Sequence, residues 1–459
     1  MAGGTWSAQN KVRAGAYINF KAVSADAATI GTRGVMTMPV AMSWGPEKKV
    51  TELFSTDLTD GKSLAKIGYT ATDPESLIFR AALGNCVKAY IYRLDAGGTK
   101  ASGTSGNLTA VAKYTGTTGN KIKIVISEND TDANSWDVIT LFNNAEKDRQ
   151  TILKTAEISA LESNAWVDWT GTGELTATAG FSLVGGVNGT VSADTYSADD
   201  GYFASVKGLN WNTMAIPQTD DIASGAVKSA VVSLIKELRE RQGKKVQAVL
   251  FNSAVNYEGI ISVKQGFSTA DEDITPEMFT AYVAGLTAGS EINVSNTYRV
   301  IENAVEIIYP EGVVPYDNDT IEKLLKTGQF ILTTRQDGAI IIEKDINTLH
   351  SPYPSADVNY SFTKNRVIRT LDGVNNDIKA LFEETFIGKV DNNDDGRNVF
   401  KASVISYLLT LQDMAAITEF NSATDIEVLA GNEIDSVVVN LAVKPVDSME
   451  KLYMTVYVN

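Results

Sequence analysis

The sequence predicts an α/β fold interrupted by an all-β insert and followed by an α+β unit. Three observations carry this. An amphipathic helix over 223–242, with Val227, Val231, Leu234, Ile235 and Leu238 on one side, lies between apolar strands over 211–216 and 246–251, and such a β-α-β unit implies a parallel sheet. Residues 96–189 turn to Thr, Gly, Ser and Asn with short strands between turns, the texture of a small β unit. The last eleven residues, 449–459, alternate with period two: Leu452, Met454, Val456 and Val458 fall on one face, Tyr453, Thr455 and Tyr457 on the other.

In chain order, residues 1–24 form an N-terminal arm. A small, polar lead over 1–15 precedes a weaker strand pattern, Ala16-Tyr17-Ile18-Asn19-Phe20. Residues 25–95 are the first part of the α/β domain, with a helix over 76–83 and a strand over 88–93. The insert, 96–189, reads as a β-sandwich with strands over 122–127, 135–142 and 181–184. Trp136, Trp166 and Trp169 supply bulk for its core, and glycine-rich stretches at 95–98 and 185–189 read as hinges. The α/β domain resumes over 190–350. Gly243 stops the long helix, and Thr275-Pro276 opens another lined by Met278, Phe279, Tyr282 and Leu286. A strand over 305–309, a helix over 320–326 and strands over 329–334 and 339–344 come next. Their continuous apolar character suggests a sheet covered on both faces. The C-terminal α+β unit, 351–448, has helices over 375–387 (Ile378, Leu381, Phe382, Phe386) and 397–414 (Val404, Tyr407, Leu408, Leu411). A strand over 437–443 and Lys444-Pro445 then lead to the terminal arm strand, 449–459.

The 459 residues are 44% hydrophobic and 21% charged, an ordinary globular balance expected to fill about three domains. Net charge is −16, and residues 351–459 alone hold 9 Lys and Arg against 16 Asp and Glu. This argues against nucleic-acid binding, which works by neutralising phosphates. The single cysteine, Cys86, allows no intrachain disulfide and sits among apolar residues, as a buried thiol would. No apolar run reaches 18 residues, so no membrane span is expected. The N-terminus lacks a charged-then-apolar signal pattern, so folding in a reducing cytosol is expected, with exit by a route such as lysis.

Catalytic chemistry is thin. The one histidine, His350, would have to serve any Ser-His-Asp triad, and it reads as a loop residue between a strand and a proline-rich turn. Cysteine and histidine are too few for structural zinc. Gly116-Thr117-Thr118-Gly119-Asn120-Lys121 has the wrong spacing for a phosphate loop and precedes a strand, so it reads as a turn. Asp391-Asn392-Asn393-Asp394-Asp395-Gly396 matches the first half of an EF-hand loop, but Ala402 stands where the bidentate Glu belongs. It reads instead as a polar turn capping the next helix. No cofactor is expected.

A chain that ends in an apolar strand must bury it somewhere. Two terminal strands on flexible leads suit completion of a sheet in another subunit, while pairing within their own domain is the alternative.

The order of several strings resembles the tail sheath proteins of contractile phages and phage-tail-like particles, in the branch common among Gram-positive hosts. They are Val12-Arg13-Ala14-Gly15-Ala16-Tyr17-Ile18-Asn19-Phe20, Val40-Ala41-Met42-Ser43-Trp44-Gly45-Pro46, Ala112-Lys113-Tyr114-Thr115-Gly116-Thr117-Thr118-Gly119-Asn120, Leu183-Val184-Gly185-Gly186, Arg369-Thr370-Leu371-Asp372, Phe386-Ile387-Gly388-Lys389-Val390, and Lys444-Pro445-Val446-Asp447-Ser448-Met449-Glu450-Lys451-Leu452-Tyr453. The leader departs from the pattern: Arg13-Ala14-Gly15 stands where many relatives have Arg-Pro-Gly. The resemblance implies a subtilisin-like α/β domain without an active site, an outward-facing β-sandwich insert and an inner C-terminal domain. It also implies a structural subunit that stacks as hexameric rings around a tail tube, exchanges terminal strands with its copies, and contracts to drive the tube through a cell envelope. The implied partners are itself, the tail tube protein, and baseplate and tail terminator proteins. The implied location is a virion or tail-like particle assembled in the host cytoplasm, without membrane insertion. The expected exchange residues are Ala16, Tyr17, Ile18, Asn19, Phe20, Leu452, Tyr453, Met454, Thr455, Val456, Tyr457 and Val458. Either C-terminal helix could face the tube, with Lys389, Arg397 and Lys401 as contacts to an acidic tube or as ordinary solvated charge. A degraded α/β hydrolase and a carbohydrate-binding surface protein using the Trp-bearing insert are the alternatives from other classes.

Overall fold

The computed structural model describes residues 2–4, 15–17, 30–31, 33–217 and 224–458. It divides into two compact units, Thr32–Gly373 with Asp447–Asn459, and Met1–Gly31 with Val374–Val446.

The large unit is built on a seven-stranded sheet in the order Gln329–Phe330, Ile260–Val263, Gln247–Phe251, Thr213–Ala215, Val35–Val40, Lys88–Arg93, Val50–Phe54. Every pair is parallel except the last, which is antiparallel. The expected parallel sheet is therefore present, and its apolar strands divide their residues between two cores. Ile91, Val249 and Ile261 pack with Phe79, Phe279, Val283 and Leu286 on one face. Their sequence neighbours Tyr90, Tyr92, Ala248, Leu250 and Ile260 pack with Val231 and Ile235 on the other. A continuous apolar run is what a strand covered on both sides requires. The helix Met278–Gly289 lies on the first face, close to Leu77–Leu83 and the turn after it. A Cβ at Gly285 would meet the carbonyl oxygen of Ala82 at 2.0 Å, and one at Gly289 that of Asn85 at 1.7 Å.

The insert is two sheets. One has the order Ala145–Leu153, Ser135–Phe142, Ile122–Glu128, Thr178–Ser182, and the other Val167–Gly171, Leu108–Thr115, Lys100–Ser105. Leu108, Ala110, Ala112, Ile122, Ile124, Ile126, Val138 and Phe142 fill the space between. Of the three expected tryptophans, Trp166 is inside while Trp136 and Trp169 pack at the margin. The missing bulk is Trp44, from outside the insert, whose ring stacks on Trp166 at 5.7 Å between centroids.

The stretches expected to be hinges are not hinges. They pair with each other through the bridges Ala96↔Thr190, Thr99↔Val187 and Ser102↔Val184. The glycines are there for close approach: a Cβ at Gly189 would meet Ala96 backbone atoms at 2.5 Å. A fully buried ion pair locks the junction. The guanidinium of Arg93 donates to Asp95 (Nη2 to Oδ2, 2.7 Å) and to the carbonyls of Gly45 and Thr115. Asp95 accepts in turn from the backbone N–H of Met42 and Gly189. Gly116, at φ +114°, opens a short turn, Thr117–Lys121. The first N–H of that turn is spent on the side chain of Asn188, so it offers no phosphate cradle.

In the small unit, Asp394–Asp413 packs through Phe400, Val404, Tyr407, Leu408 and Leu411, and Phe386 stacks edge-on against Phe400 at 4.9 Å. The polar string at 391–396 acts as the expected cap: Asn393 Oδ1 accepts from Gly396 N at 2.8 Å. The helix expected over 375–387 begins ten residues earlier, as Asn365–Leu381, and continues as a wider turn, Phe382–Phe386. Gly373 and the Asn-rich stretch after it argue for a break there. Burial of Val367 and Ile368 overrides that weak propensity, and Gly373 sits where a Cβ would meet Arg33 at 2.3 Å. A two-stranded antiparallel sheet, Ile426–Ala430 with Val437–Leu441, completes the unit.

Gly285→Ala is expected to destabilise the protein by about 2–3 kcal/mol in urea unfolding, through overpacking against the Ala82 carbonyl. The better helix propensity of alanine, worth about 1 kcal/mol, runs the other way, so an unchanged or raised midpoint contradicts this packing.

Candidate assembly site

The C-terminal arm is fastened at its root. Lys364 comes directly after the turn Tyr360–Thr363 and pairs by an isolated bridge with Ile346, which holds its side chain inward with only 3% exposed. Its ammonium binds the carboxylate of Glu450, itself 9% exposed, and lies 3.8 Å from Asp447. Thr297 Oγ1 donates to Glu450 Oε1 at 2.9 Å and accepts from Asp345 N at 3.0 Å. Asp345 is buried and collects further donors from Asn296 N, Asn365 Nδ2 and Arg369 Nη2. Burial pulls the Lys364 ammonium toward its neutral form. Glu450 and Asp447 more than offset this, so its pKa lies above the ordinary lysine value.

Beyond this clamp the chain changes character. Leu452, Tyr453, Met454, Val456, Tyr457 and Val458 are each at least 67% exposed, and residues 452–458 have no ladder partner among the described residues. The alternating segment is therefore not paired as a strand with any described residue of its own chain. The amide and carbonyl groups of an extended apolar segment, left in water, are the groups a sheet edge recruits.

The sheet Ile426–Ala430/Val437–Leu441 is the complementary feature. It has two strands, so each has an edge without a strand partner among the described residues. Beside Val437–Leu441 lies a groove of about 380 Å³ whose lining includes Ile378, Phe382, Phe400, Val437, Val439 and Leu441.

The other expected residues fare differently. Ala16 and Tyr17 belong to the strand Gly15–Tyr17, paired in parallel with Ala2–Gly4, while Ile18, Asn19 and Phe20 lie outside the described residues. Arg397 is not a free cation. It donates to Asn392 Oδ1 at 2.9 Å and to Asp394, bracing the turn that starts its helix. Lys389 donates to the carbonyl of Glu384, so its charge is also used locally. Lys401 forms no ion pair among the described residues. His350 is half-buried, with Nδ1 2.8 Å from the carbonyl of Thr348. A carbonyl only accepts, so Nδ1 carries the proton. Cys86 is buried, and its thiol is pushed up to about 12 by burial. Among the described residues no group of acidic, histidine or cysteine side chains is arranged to hold a metal ion, and no helix is long and apolar enough to cross a membrane.

Four family profiles match in chain order: the tail sheath protein Gp18 domain III N-terminal region over 33–94, the phage tail sheath protein beta-sandwich domain over 96–188, the central domain over 189–348 and the C-terminal domain over 357–459. The phage-like element PBSX protein XkdK of Bacillus subtilis is 35% identical over the whole of both chains. The crystal structure of the sheath tail protein from Desulfitobacterium hafniense is 41% identical and superposes with a TM-score of 0.80, covering 96% of this chain and 99% of that one. The Listeria innocua sheath tail protein gives 31%, 0.80, 93% and 95%.

The chain belongs to the phage tail sheath family. It is a structural subunit of a phage tail sheath, and its place is a virion or phage-tail-like particle. The contracted helical sheath of the anti-feeding prophage, at 12% identity and a TM-score of 0.54, shares the fold. The family strings have visible structural roles. Asp372 chelates the buried guanidinium of Arg239 at 2.6 and 2.9 Å, and Arg369 donates to the Val294 carbonyl at 2.6 Å. Sequence reading missed Lys364 and Thr297. The one available signal was on the other partner, the acids Asp447 and Glu450 placed just before an apolar alternation.

Glu450→Gln is expected to cost about 3 kcal/mol, because it leaves the buried Lys364 charge short of its partner. Lys364→Met is expected to cost less, because Glu450 on a terminal segment can turn to water. Chemical denaturation of the two variants checks this order. The raised Lys364 pKa means the pair contributes fully below the ordinary lysine range and fades as pH climbs through the raised value. The wild-type advantage over Glu450→Gln should therefore shrink in strongly alkaline buffer.

Proposed function

We propose that the subunit polymerises by donating residues 452–458 as a strand to the two-stranded sheet Ile426–Ala430/Val437–Leu441 of another copy. The observation that carries this is the pairing of opposites on one chain: an extended apolar arm with no strand partner among the described residues, and a sheet edge beside an apolar groove. Each backbone hydrogen bond formed is worth about 1 kcal/mol net. Each of Leu452, Met454, Val456 and Val458 that is buried adds about 1.5–3 kcal/mol. A head-to-tail contact of this kind, if its rotation does not close, gives an open helical polymer. The N-terminal residues Ala16, Tyr17, Ile18, Asn19 and Phe20 serve the same purpose at the other end.

In this reading the subunits stack as hexameric rings around the tail tube, capped by baseplate and terminator proteins, after assembly in the host cytoplasm. The seven-stranded sheet with helices on both faces fits the subtilisin-like scaffold expected from the family, serving here as a rigid body without catalytic duty. The domains run 25–95 with 190–350, 96–189, and 351–448, with arms at 1–24 and 449–459. Contraction exchanges one packing of the lattice for another while donated strands keep it connected. Its work is the free energy stored in assembly. Of the three basic residues expected at the tube, Lys401 forms no ion pair among the described residues and is the contact retained.

Deleting residues 451–459 should abolish sheaths in negative-stain images while far-UV circular dichroism and the unfolding midpoint stay close to wild type. Sheaths formed by the truncated chain would overturn the exchange.

A further inference from the structure

The hairpin between Ile426–Ala430 and Val437–Leu441 ends in Gly431-Asn432-Glu433-Ile434-Asp435-Ser436. Ile434 is 95% exposed at its tip. It stands between two exposed carboxylates, Glu433 and Asp435, that form no ion pair among the described residues. The loop is held rather than slack. Ser436 N donates to Glu433 O at 3.0 Å, Glu433 N donates to Ser436 Oγ at 3.0 Å, and Asn392 Nδ2 donates to the carbonyls of Ile434 and Ser436, both at 2.9 Å. A large aliphatic side chain fixed in water on a braced turn is a preorganised knob, because little freedom remains to be lost when it is buried.

The large unit carries a hole of the opposite character. A cavity of about 470 Å³ is lined by Leu325, Ile346 and Leu349 together with Lys344, Lys451, His350 and the Glu322–Lys326 ion pair. Lys344 and Lys451 form no ion pair among the described residues, and the His350 ring has Nδ1 committed to Thr348 O, leaving Nε2. In a chain of net charge −16, a cavity whose Glu322 is neutralised by Lys326 and whose Lys344 and Lys451 are left over complements an acidic collar around an isoleucine. Lys451 directly follows the clamped Glu450, so whatever fills the cavity sits where the donated arm departs and is continuous with the exchange surface.

We propose that Ile434 of one copy plugs this cavity in a second copy, with Glu433 and Asp435 meeting Lys344 and Lys451. The proposal rests on the polymer reading above and adds a second contact, one that locks where two copies sit rather than merely tethering them. Complementary charges around a buried apolar anchor give such a contact its orientation.

The test uses two full-length variants purified separately, Ile434→Cys and Leu325→Cys, mixed, polymerised and mildly oxidised. The native Cys86 thiol is buried and does not compete. A disulfide-linked pair of chains is expected in the polymer and not in either variant alone. Ile434→Glu in the otherwise native chain should raise the protein concentration needed for sheaths at least tenfold, and Lys344→Glu should do the same, with recovery when combined with Asp435→Lys. Polymer without the cross-link, together with unchanged assembly by Ile434→Glu, overturns the plug. If an arm-deleted chain lacking only 452–459, which keeps Lys451 at the cavity, still fails to polymerise in that case, strand exchange stands without it. A cross-linked polymer from the arm-deleted chain would instead keep the plug and overturn the exchange.

Discussion

The ion pair between Lys364 and Glu450 is the constraint on which the behaviour of this subunit depends. It fixes one point of an otherwise unsupported terminal segment inside the large unit, through a lysine that is 3% exposed and a carboxylate that is 9% exposed. Burying two charges is expensive, and it is sustained here by the donors and acceptors arranged around them: Thr297 on Glu450, and Asp345 beneath Thr297. Because the clamp ends at residue 450, the segment 452–458 is committed to solvent in the single chain. An apolar, alternating stretch with open backbone groups gains stability when a sheet edge takes it up. The same segment that leaves the free subunit with an exposed edge, a hazard in general, is the one proposed to join it to another copy.

The rest of the molecule supplies stiffness. The insert is joined by two chain crossings that pair with one another and close over the buried Arg93–Asp95 pair, so it moves with its α/β base rather than on a hinge. Within the large unit, Met278–Gly289 approaches the turn after Leu77–Leu83 so closely that glycine is required at 285 and 289. The interior of the large unit is packed on both sides of one sheet.

Much of the fold was legible because it rests on local patterns. The β-α-β signature around Val231 and Ile235, the turn-rich insert and the Asn393 cap depend on periodicity and capping chemistry that a sequence displays directly. The parts that stayed hidden depend on distance in sequence. Trp44 fills a core that begins more than fifty residues beyond it, Lys364 meets Glu450 across a long loop of chain, and the start of Asn365–Leu381 is decided by burial that overrides a glycine and an asparagine cluster. The glycines at 98 and 189 look the same in sequence whether they loosen a chain or let two strands touch, and only the bridge partners distinguish the two. The arm was legible as an apolar alternation. Its lack of a described partner in its own chain was not, because a one-dimensional pattern does not say which edge it will meet.

Residues 452–458 are proposed to be completed by another copy. Hydrogen–deuterium exchange of their backbone amides, measured in dilute subunit and in assembled sheath, tests this most directly. Exchange at nearly the rate of an unstructured peptide is expected in the subunit, and strong protection in the sheath. Equal, fast exchange in both states would contradict it, as would protection already complete in the isolated subunit.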